Sequence, residues 1–374
     1  MKKKVYYWSP FLSPIATCKA VINSAFSIEK FGNNHESYIL NFFNEFSLFR
    51  NEIKKKNIKI INFYKFNFFR HLPYEGKIRS RISFIILFIF GIFPLFKKLK
   101  TNKPDYLIIH LISSLPLILL IFFKFETKFI LRISGFPKLN FFRKILWKKA
   151  LKNIHYVTCP TENTLNYIKQ SNLVDESKLR LLYDPIITFK EVIEKKKELV
   201  NFENYYLSAG RLTKQKNFLF LCKAVKEIIK KDSNKKFLIA GNGEEKGKIL
   251  KFIKNNKLEN NILLIGYVDN IFSYLNKAKG FILTSLWEDP GFVLIEAGIC
   301  RTPVLSSDAW PGPIEIIKDK YNGYIYKSND IKDFLKNFNI FEDRRDKNQI
   351  IFNHLKTIKK FTLLNHYKNI IKII

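Results

Sequence analysis

Short apolar runs alternate with amphipathic stretches throughout the second half of the chain, the rhythm of repeated βα units. The predicted strands are Tyr205 to Ala209, Lys236 to Ala240, Ile262 to Gly266, Gly280 to Thr284, Pro303 to Ser306 and Gly323 to Tyr326. Between the first two, Phe218, Leu221, Cys222, Val225, Ile228 and Ile229 recur at helical spacing with lysines opposite. These strands read as nearly continuous apolar runs, which is the pattern of a parallel sheet covered by helices on both faces.

The first half follows the same plan less regularly. Strands are expected at Lys4 to Trp8, Ser37 to Leu40, Ile58 to Phe63, Tyr106 to Leu111, Lys128 to Ile133 and His155 to Cys159, with a helix from about Ile15 to Phe31. The uncharged run from Tyr106 to Phe123 contains His110, Ser113, Ser114 and Pro116, so it divides into a buried strand, a turn and an apolar helix. Ile82 to Phe96 is another apolar run, interrupted by Gly91 and Pro94. It is short of the roughly 20 residues that span a bilayer and is expected as a helix lying in a membrane interface. Arg79, Arg81, Lys97, Lys98 and Lys100 flank it. Residues 187–201, with the run KEVIEKKKE, read as a seam between two domains, and Phe361 to Ile374 as a closing amphipathic helix.

A length of 374 residues agrees with two domains at roughly 150 residues each. Charge is the outlier: 65 Lys and Arg against 32 Asp and Glu give a formal +33, which asks for nucleic acid, a membrane surface or phosphorylated ligands. The abundance of Lys, Asn, Ile and Phe fits an AT-rich coding sequence, but that bias does not favour basic over acidic residues. An anionic membrane face satisfies the excess most simply. No zinc finger, RNP-type aromatic motif or concentrated arginine-rich helix supports specific nucleic-acid binding. Cys18, Cys159, Cys222 and Cys300 are far apart, with no C-x-x-C pair and no His spaced as a zinc co-ligand, so reduced buried thiols are expected. The apolar run after Met1 stops at Ser9 and Pro10, before a signal-peptide core forms; a cytoplasmic protein is expected.

Open parallel sheets bind ligands at the carboxyl ends of their strands. After Ala209 come Gly210, Arg211 and, before a helix, Lys216. Two cations at a helix entrance suit a diphosphate, although two solvated cations in a lysine-rich chain give the same pattern. After Ala240 come Gly241, Asn242 and Gly243, either a simple turn or a place for a nucleotide to approach the backbone. After Thr284 the chain reads WEDPGFVLIEA, with Glu288 and Glu296 eight positions apart, and Pro290 and Gly291 opening a helix. Paired carboxylates there suit sugar and ribose hydroxyls.

With these motifs the sequence resembles the retaining glycosyltransferases of family 4, most strongly from about Tyr205 to Tyr326. The carriers are AGRLTKQKN (Ala209 to Asn217), IAGNGEE (Ile239 to Glu245), WEDPGFVLIEA (Trp287 to Ala297), and DAWPGPIEII (Asp308 to Ile317) followed by Asn322 and Gly323. The resemblance implies an α/β fold of two Rossmann-like α/β/α domains facing a cleft, the GT-B architecture. The domains would be an acceptor-side one over 1–186, a linker over 187–201 and a donor-side one over 202–360, with helix 361–374 packing back on the first. It implies transfer of a sugar from a UDP- or GDP-linked donor to a glycan or polyprenyl-diphosphate-linked acceptor, with retention, without a metal or other cofactor, in cell-envelope polysaccharide synthesis. Arg211 and Lys216 would stabilise the leaving diphosphate, Glu288 would contact the transferred sugar and Glu296 the ribose. Gly210, Gly241, Asn242, Gly243, Asp289, Gly291, Phe292 and Val293 would line the donor site. The expected location is the inner face of the cytoplasmic membrane. Two departures lie in the first half. The family often has a His after the strand matching Lys128 to Ile133, where this chain reads Arg132, Ile133, Ser134, Gly135 and Phe136, leaving His110 as a substitute. The loop from Trp8 to Pro14 lacks the family's glycines. The alternatives are a sugar-nucleotide epimerase or hydrolase of the same architecture, and a basic nucleic-acid-binding protein.

Overall fold

The computed structural model describes residues 2–11, 16–64, 77–133, 137, 140–344 and 346–374. The chain divides into two compact units: unit 1 is Met1–Pro185 with Leu363–Ile374, and unit 2 is Ile186–Thr362. Leu12, Ser13 and Pro14, and Ser134, Gly135 and Phe136, lie outside the described residues.

Unit 1 runs β1 (Lys3–Trp8), α1 (Ala16–Phe31), β2 (His35–Asn41), α2 (Arg50–Lys55), β3 (Lys59–Asn62), α3 (Lys77–Asn102), β4 (Tyr106–Ile109), α4 (Ser114–Phe122), β5 (Lys128–Arg132), α5 (Phe141–Ala150), β6 (Tyr156–Cys159), α6 (Glu162–Gln170) and β7 (Leu179–Leu181). The sheet is parallel in the order β3-β2-β1-β4-β5-β6-β7. Every residue of β4 is buried, as a central strand covered on both faces must be. Side-chain caps start the later helices: Asn140 accepts the Arg143 N–H at 2.9 Å, and Thr161 accepts that of Thr164 at 3.2 Å.

Unit 2 runs α7 (Phe189–Lys195), β8 (Tyr205–Ala209), α8 (Phe218–Ile228), β9 (Lys236–Ala240), α9 (Lys246–Asn255), β10 (Ile262–Gly266), α10 (Ile271–Lys277), β11 (Gly280–Leu283), β12 (Trp287–Glu288), α11 (Phe292–Ile299), β13 (Val304–Ser307), β14 (Trp310–Pro311), α12 (Pro313–Ile316), β15 (Tyr324–Tyr326), α13 (Ile331–Glu342) and α14 (Lys347–Ile358); α15 (Leu363–Ile370) then returns to unit 1. Its parallel sheet has the order β10-β9-β8-β11-β13-β15, and β12 pairs with β14 in a separate ladder. Each strand predicted in this half appears with ends within one residue. Both sheets have the doubly wound order in which the winding direction reverses, between β1 and β4 and between β8 and β11.

Three stretches differ from expectation. Residues 187–201, expected as a linker, contain α7 and belong to unit 2, where the Lys195 and Val200 carbonyls accept from Asn270 and Lys277. The Ile82 to Phe96 run is part of a longer helix that continues through Gly91 and Pro94; Ile82–Asn102 is long and apolar enough to cross a membrane. It tolerates Gly91 because a Cβ there would stand 2.7 Å from Leu115 Cδ1 and 3.0 Å from Phe42 Cζ, so close helix packing requires the missing side chain. Finally, β7 and the β12–β14 ladder, only two or three residues per strand, have too little periodicity to be read from sequence.

A buried polar chain anchors α15 to unit 1. His366 Nδ1 lies 2.7 Å from the Tyr183 carbonyl and must donate to it, which leaves Nε2 to accept from Ser24 Oγ at 2.8 Å; Tyr7 Oη completes the chain at 2.9 Å from Ser24. In unit 2, His354 packs against α11, where a Cβ at Gly298 would stand 2.9 Å from its Nε2. Burial pulls the His354 imidazole down to about 4. Its folded value lies below its unfolded one, so the folded state binds fewer protons between about pH 4 and 6.5, and stability falls as pH drops through that window. Relative to wild type, His354→Leu is expected to remove about 2 kcal/mol of the stability lost between pH 7 and 5, checked by urea unfolding at both pH values.

Candidate donor site in unit 2

Parallel strands end with their carboxyl ends together, so the loops leaving β8, β9, β11 and β13 emerge side by side. They pack backbone against backbone. Gly241 has φ +142°, and a Cβ there would stand 1.9 Å from the Gly210 carbonyl oxygen; at Gly243 it would stand 2.5 Å from that of Leu212. Leu212 N–H donates to the Asn242 carbonyl and Glu245 N–H to that of Leu212, each at 2.9 Å. The glycines of this G-x-G thus admit the neighbouring loop. Gly210, at φ +152°, leaves room for the Lys216 stem, which would stand 2.9 Å from a Cβ.

A second seam joins the β8 loop to the β11 loop. Leu286 N–H donates to the Gln215 carbonyl at 2.8 Å, Gln215 Nε2 to the Trp287 carbonyl at 2.7 Å and Thr284 Oγ1 to the Lys216 carbonyl at 2.7 Å. The β13 loop closes the group: Gly312 N–H donates to the Glu288 carbonyl at 3.0 Å, and a Cβ on Gly312 would stand 2.0 Å from the Pro290 carbonyl oxygen.

This scaffold brings Lys216 and Glu288 together. Lys216 Nζ forms an ion pair with Glu288 Oε1, and Ser285 Oγ donates to the same oxygen at 2.6 Å. Glu288 is buried and Lys216 nearly so, so the pair is weakly screened. Arg211, in the same loop, is exposed, and its side chain makes no hydrogen bond or ion pair among the described residues. Gly291, at φ +96°, is the residue before α11, whose first turn presents the N–H groups of Phe292 and Val293. Glu296 is the fifth residue of α11, and Asp289 joins β12 to that helix. The sequence-selected residues thus follow strands β8, β9 and β11 at the carboxyl edge of one sheet, most of them in the connecting loops, with Glu288 in the short β12 and Glu296 in the second turn of α11. The β8 and β11 loops flank the point where its winding reverses.

Ser285, Gln215 and Gly312 were not singled out from sequence. Ser285 sits three positions before Glu288, but only the turn between them brings its hydroxyl to the carboxylate. Among the described residues, no group of three or more His, Cys, Asp or Glu is gathered as a metal site. All four cysteines are buried thiols outside any disulfide, and burial pushes the Cys222 and Cys300 thiols up to about 12, so neither acts as a thiolate near neutral pH. In unit 1, His110 is buried at the end of β4 beside a small cavity shared with Arg132, Asp184, Ser24 and His366. Desolvation and the Arg132 charge hold its imidazole neutral. Arg132 itself is paired with Asp184.

Residues 189–354 match the family model described as Glycosyl transferases group 1. An uncharacterized glycosyltransferase of Methanocaldococcus jannaschii, MJ1059, is 30% identical over 257 residues, 62% of this chain and 62% of that relative. The chain thus spans less than two thirds of that protein's length. The GalNAc-alpha-(1->4)-GalNAc-alpha-(1->3)-diNAcBac-PP-undecaprenol alpha-1,4-N-acetyl-D-galactosaminyltransferase of Campylobacter jejuni is 26% identical over 343 residues, 86% of this chain and 90% of that one. A variant of Staphylococcus aureus TarM, crystallised with fondaparinux, alpha-GlcNAc-glycerol and UDP, superposes with a TM-score of 0.76 at 14% identity, covering 100% of this chain and 99% of that one. The fold is that of GT-B glycosyltransferases.

The contacts separate the two cations. Arg211→Ala removes an exposed side chain with no hydrogen bond or ion pair among the described residues and should leave the melting temperature within about 2 °C. Lys216→Ala leaves a buried carboxylate with Ser285 alone and should cost about 1–3 kcal/mol, several degrees by calorimetry. Gly241→Ala should cost at least about 2 kcal/mol, because the loops cannot then close.

Proposed function

We propose that the protein is a retaining glycosyltransferase that moves a sugar from a nucleoside-diphosphate donor, held by unit 2, to a glycan or lipid-linked saccharide of the cell envelope. The observation that carries the reading is the switch-point cluster: a free Arg211, and Lys216 paired with Glu288, inside a stretch that matches the group 1 transferase family. UDP is the favoured nucleotide, supported by its presence with TarM, and the lipid-linked acceptor is supported by the Campylobacter relative's name.

In this mechanism the bond from the anomeric carbon to the diphosphate oxygen breaks, and its electron pair goes to that oxygen. Arg211 and Lys216 stabilise the charge that develops there. The acceptor hydroxyl bonds to the same face of the anomeric carbon, and its proton passes to the departing phosphate. Lys216 starts out paired with Glu288, so donor binding exchanges one partner for another and frees an oxygen of Glu288 for a sugar hydroxyl. Ser285 holds the other bond to that carboxylate and is a positioning residue. The first-turn N–H groups of Phe292 and Val293, and the carboxylate of Glu296, serve the phosphate and ribose of the donor. Arg211, Lys216 and the helix terminus supply the charge stabilisation that a metal gives elsewhere. The reduced, buried thiols suit a cytoplasmic location, on the side where nucleotide sugars are made available.

The test is turnover of a UDP-sugar series with membrane-extracted acceptors. Arg211→Ala and Glu288→Ala are each expected to lower kcat/KM by about 100-fold or more while the fold is kept, EDTA is expected to leave the rate unchanged, and product NMR to show the donor's anomeric configuration. Full activity in either variant would remove the assignment; an inverted product would remove the retaining mechanism.

A further inference from the structure

Helix α3 is apolar on two opposite faces. Ser83, Leu87, Leu95 and Leu99 are buried, and Gly91 backs onto Leu115 of α4 and Phe42. On the other side Ile82, Ile85, Ile89 and Phe93 are 49%, 59%, 61% and 68% exposed. A helix that covers a core has a polar outer face; one that is apolar outside as well needs a second apolar environment. Next to it α5 exposes Phe141 and Phe142, at 73% and 81%. Between the helices is a groove of about 640 Å³, with Phe84, Phe88, Phe142, Leu146 and Trp147 as apolar walls and Ser113, Ser114, Asn140 and Arg143 as its polar lining.

The surroundings say what covers this face. Residues 77–152 hold 16 Lys and Arg but only 2 Asp and Glu. Both acids are already engaged, Asp105 by the Lys4 N–H and Glu126 by Lys103. The exposed phenylalanines of α5 are followed by Arg143, Lys144, Lys148 and Lys149, and the apolar face of α3 by Lys97, Lys98 and Lys100. Apolar side chains rimmed by cations without anions match the interface of an anionic bilayer, with acyl chains below and phosphates around. A second copy of the same face would set cation against cation.

We propose that α3 and α5 form a membrane-docking face that lies in the headgroup region of an anionic bilayer, with the groove between them taking part of a lipid chain. Although α3 is long enough to cross, its inner face is part of the unit 1 core, so encircling it with lipid would dismantle that core. Its two apolar sides are satisfied together only at an interface. The inference is independent of the donor chemistry of unit 2.

The full-length protein is floated with vesicles of phosphatidylcholine alone or with about 30 mol% phosphatidylglycerol. At least about tenfold more protein is expected with the anionic vesicles, falling with salt and released by alkaline carbonate. The triple variant Ile85→Asp, Ile89→Asp, Phe142→Asp is expected to lose this recovery by about tenfold at an unchanged melting temperature, since all three side chains are exposed. Absence of wild-type flotation, equal recovery on neutral vesicles, or flotation of the folded triple variant would overturn the proposal. So would light scattering that shows a dimer abolished by the triple variant, which would make the face a self-interface. Resistance to carbonate would mean that α3 crosses the bilayer.

Discussion

Four loops of unit 2 touch through their main chains, and the proposed donor chemistry stands on that contact. Carbonyl oxygens of Gly210, Leu212 and Pro290 occupy the places where Cβ atoms of Gly241, Gly243 and Gly312 would be. Main chain against main chain leaves little freedom: no rotamer can absorb a displacement, and each loop is anchored where it leaves a buried strand. Lys216 and Glu288 meet because the loops that bear them are stitched at Gln215, Thr284 and Leu286.

The Lys216–Glu288 pair has a second consequence. A cation held by a carboxylate in the absence of substrate is already oriented, and its partner can pass to a sugar hydroxyl when a diphosphate arrives. The Arg211 side chain has no such partner among the described residues and remains available. In the proposed mechanism the two cations therefore play unequal parts: Lys216 stabilises the fold as well as the leaving group, whereas Arg211 serves chemistry alone. The same physical reasoning gives the large positive charge of the chain two destinations, a small share at the sheet edge of unit 2 and a concentrated share around the apolar helices of unit 1.

Unit 1 joins its sequence ends through buried polarity. The relay from Tyr7 through Ser24 and His366 to the Tyr183 carbonyl fixes the tautomer of the histidine and ties the last helix to the first strand. Beside it His110 is a neutral imidazole, its charged form opposed by burial and by Arg132, which is itself paired with Asp184. That His110 interacts with this packed cluster could not be read from a lone His at the end of a predicted strand.

Local periodicity was enough for the strands of unit 2, because continuous apolar runs separated by amphipathic helices have few other solutions. The positions of Arg211, Lys216, Glu288 and Gly291 after strands were legible for the same reason: chain direction alone puts them at one sheet edge. Contacts between residues distant in sequence were not legible. Ser285 and Gly312 meet the Glu288 segment only after the β11 and β13 loops fold over one another, and the glycines of the Gly241 loop proved to admit protein backbone, a distinction that composition cannot make. The apolar run near Ile82 was visible as a run, but its two-sidedness depends on which face the sheet covers. Sequence thus determined the elements, their parallel order of use and the chemical character of the loops, through short-range sterics and burial. Tertiary structure decided which polar groups meet and which apolar face stays bare, because both are set by long-range packing that no local pattern contains.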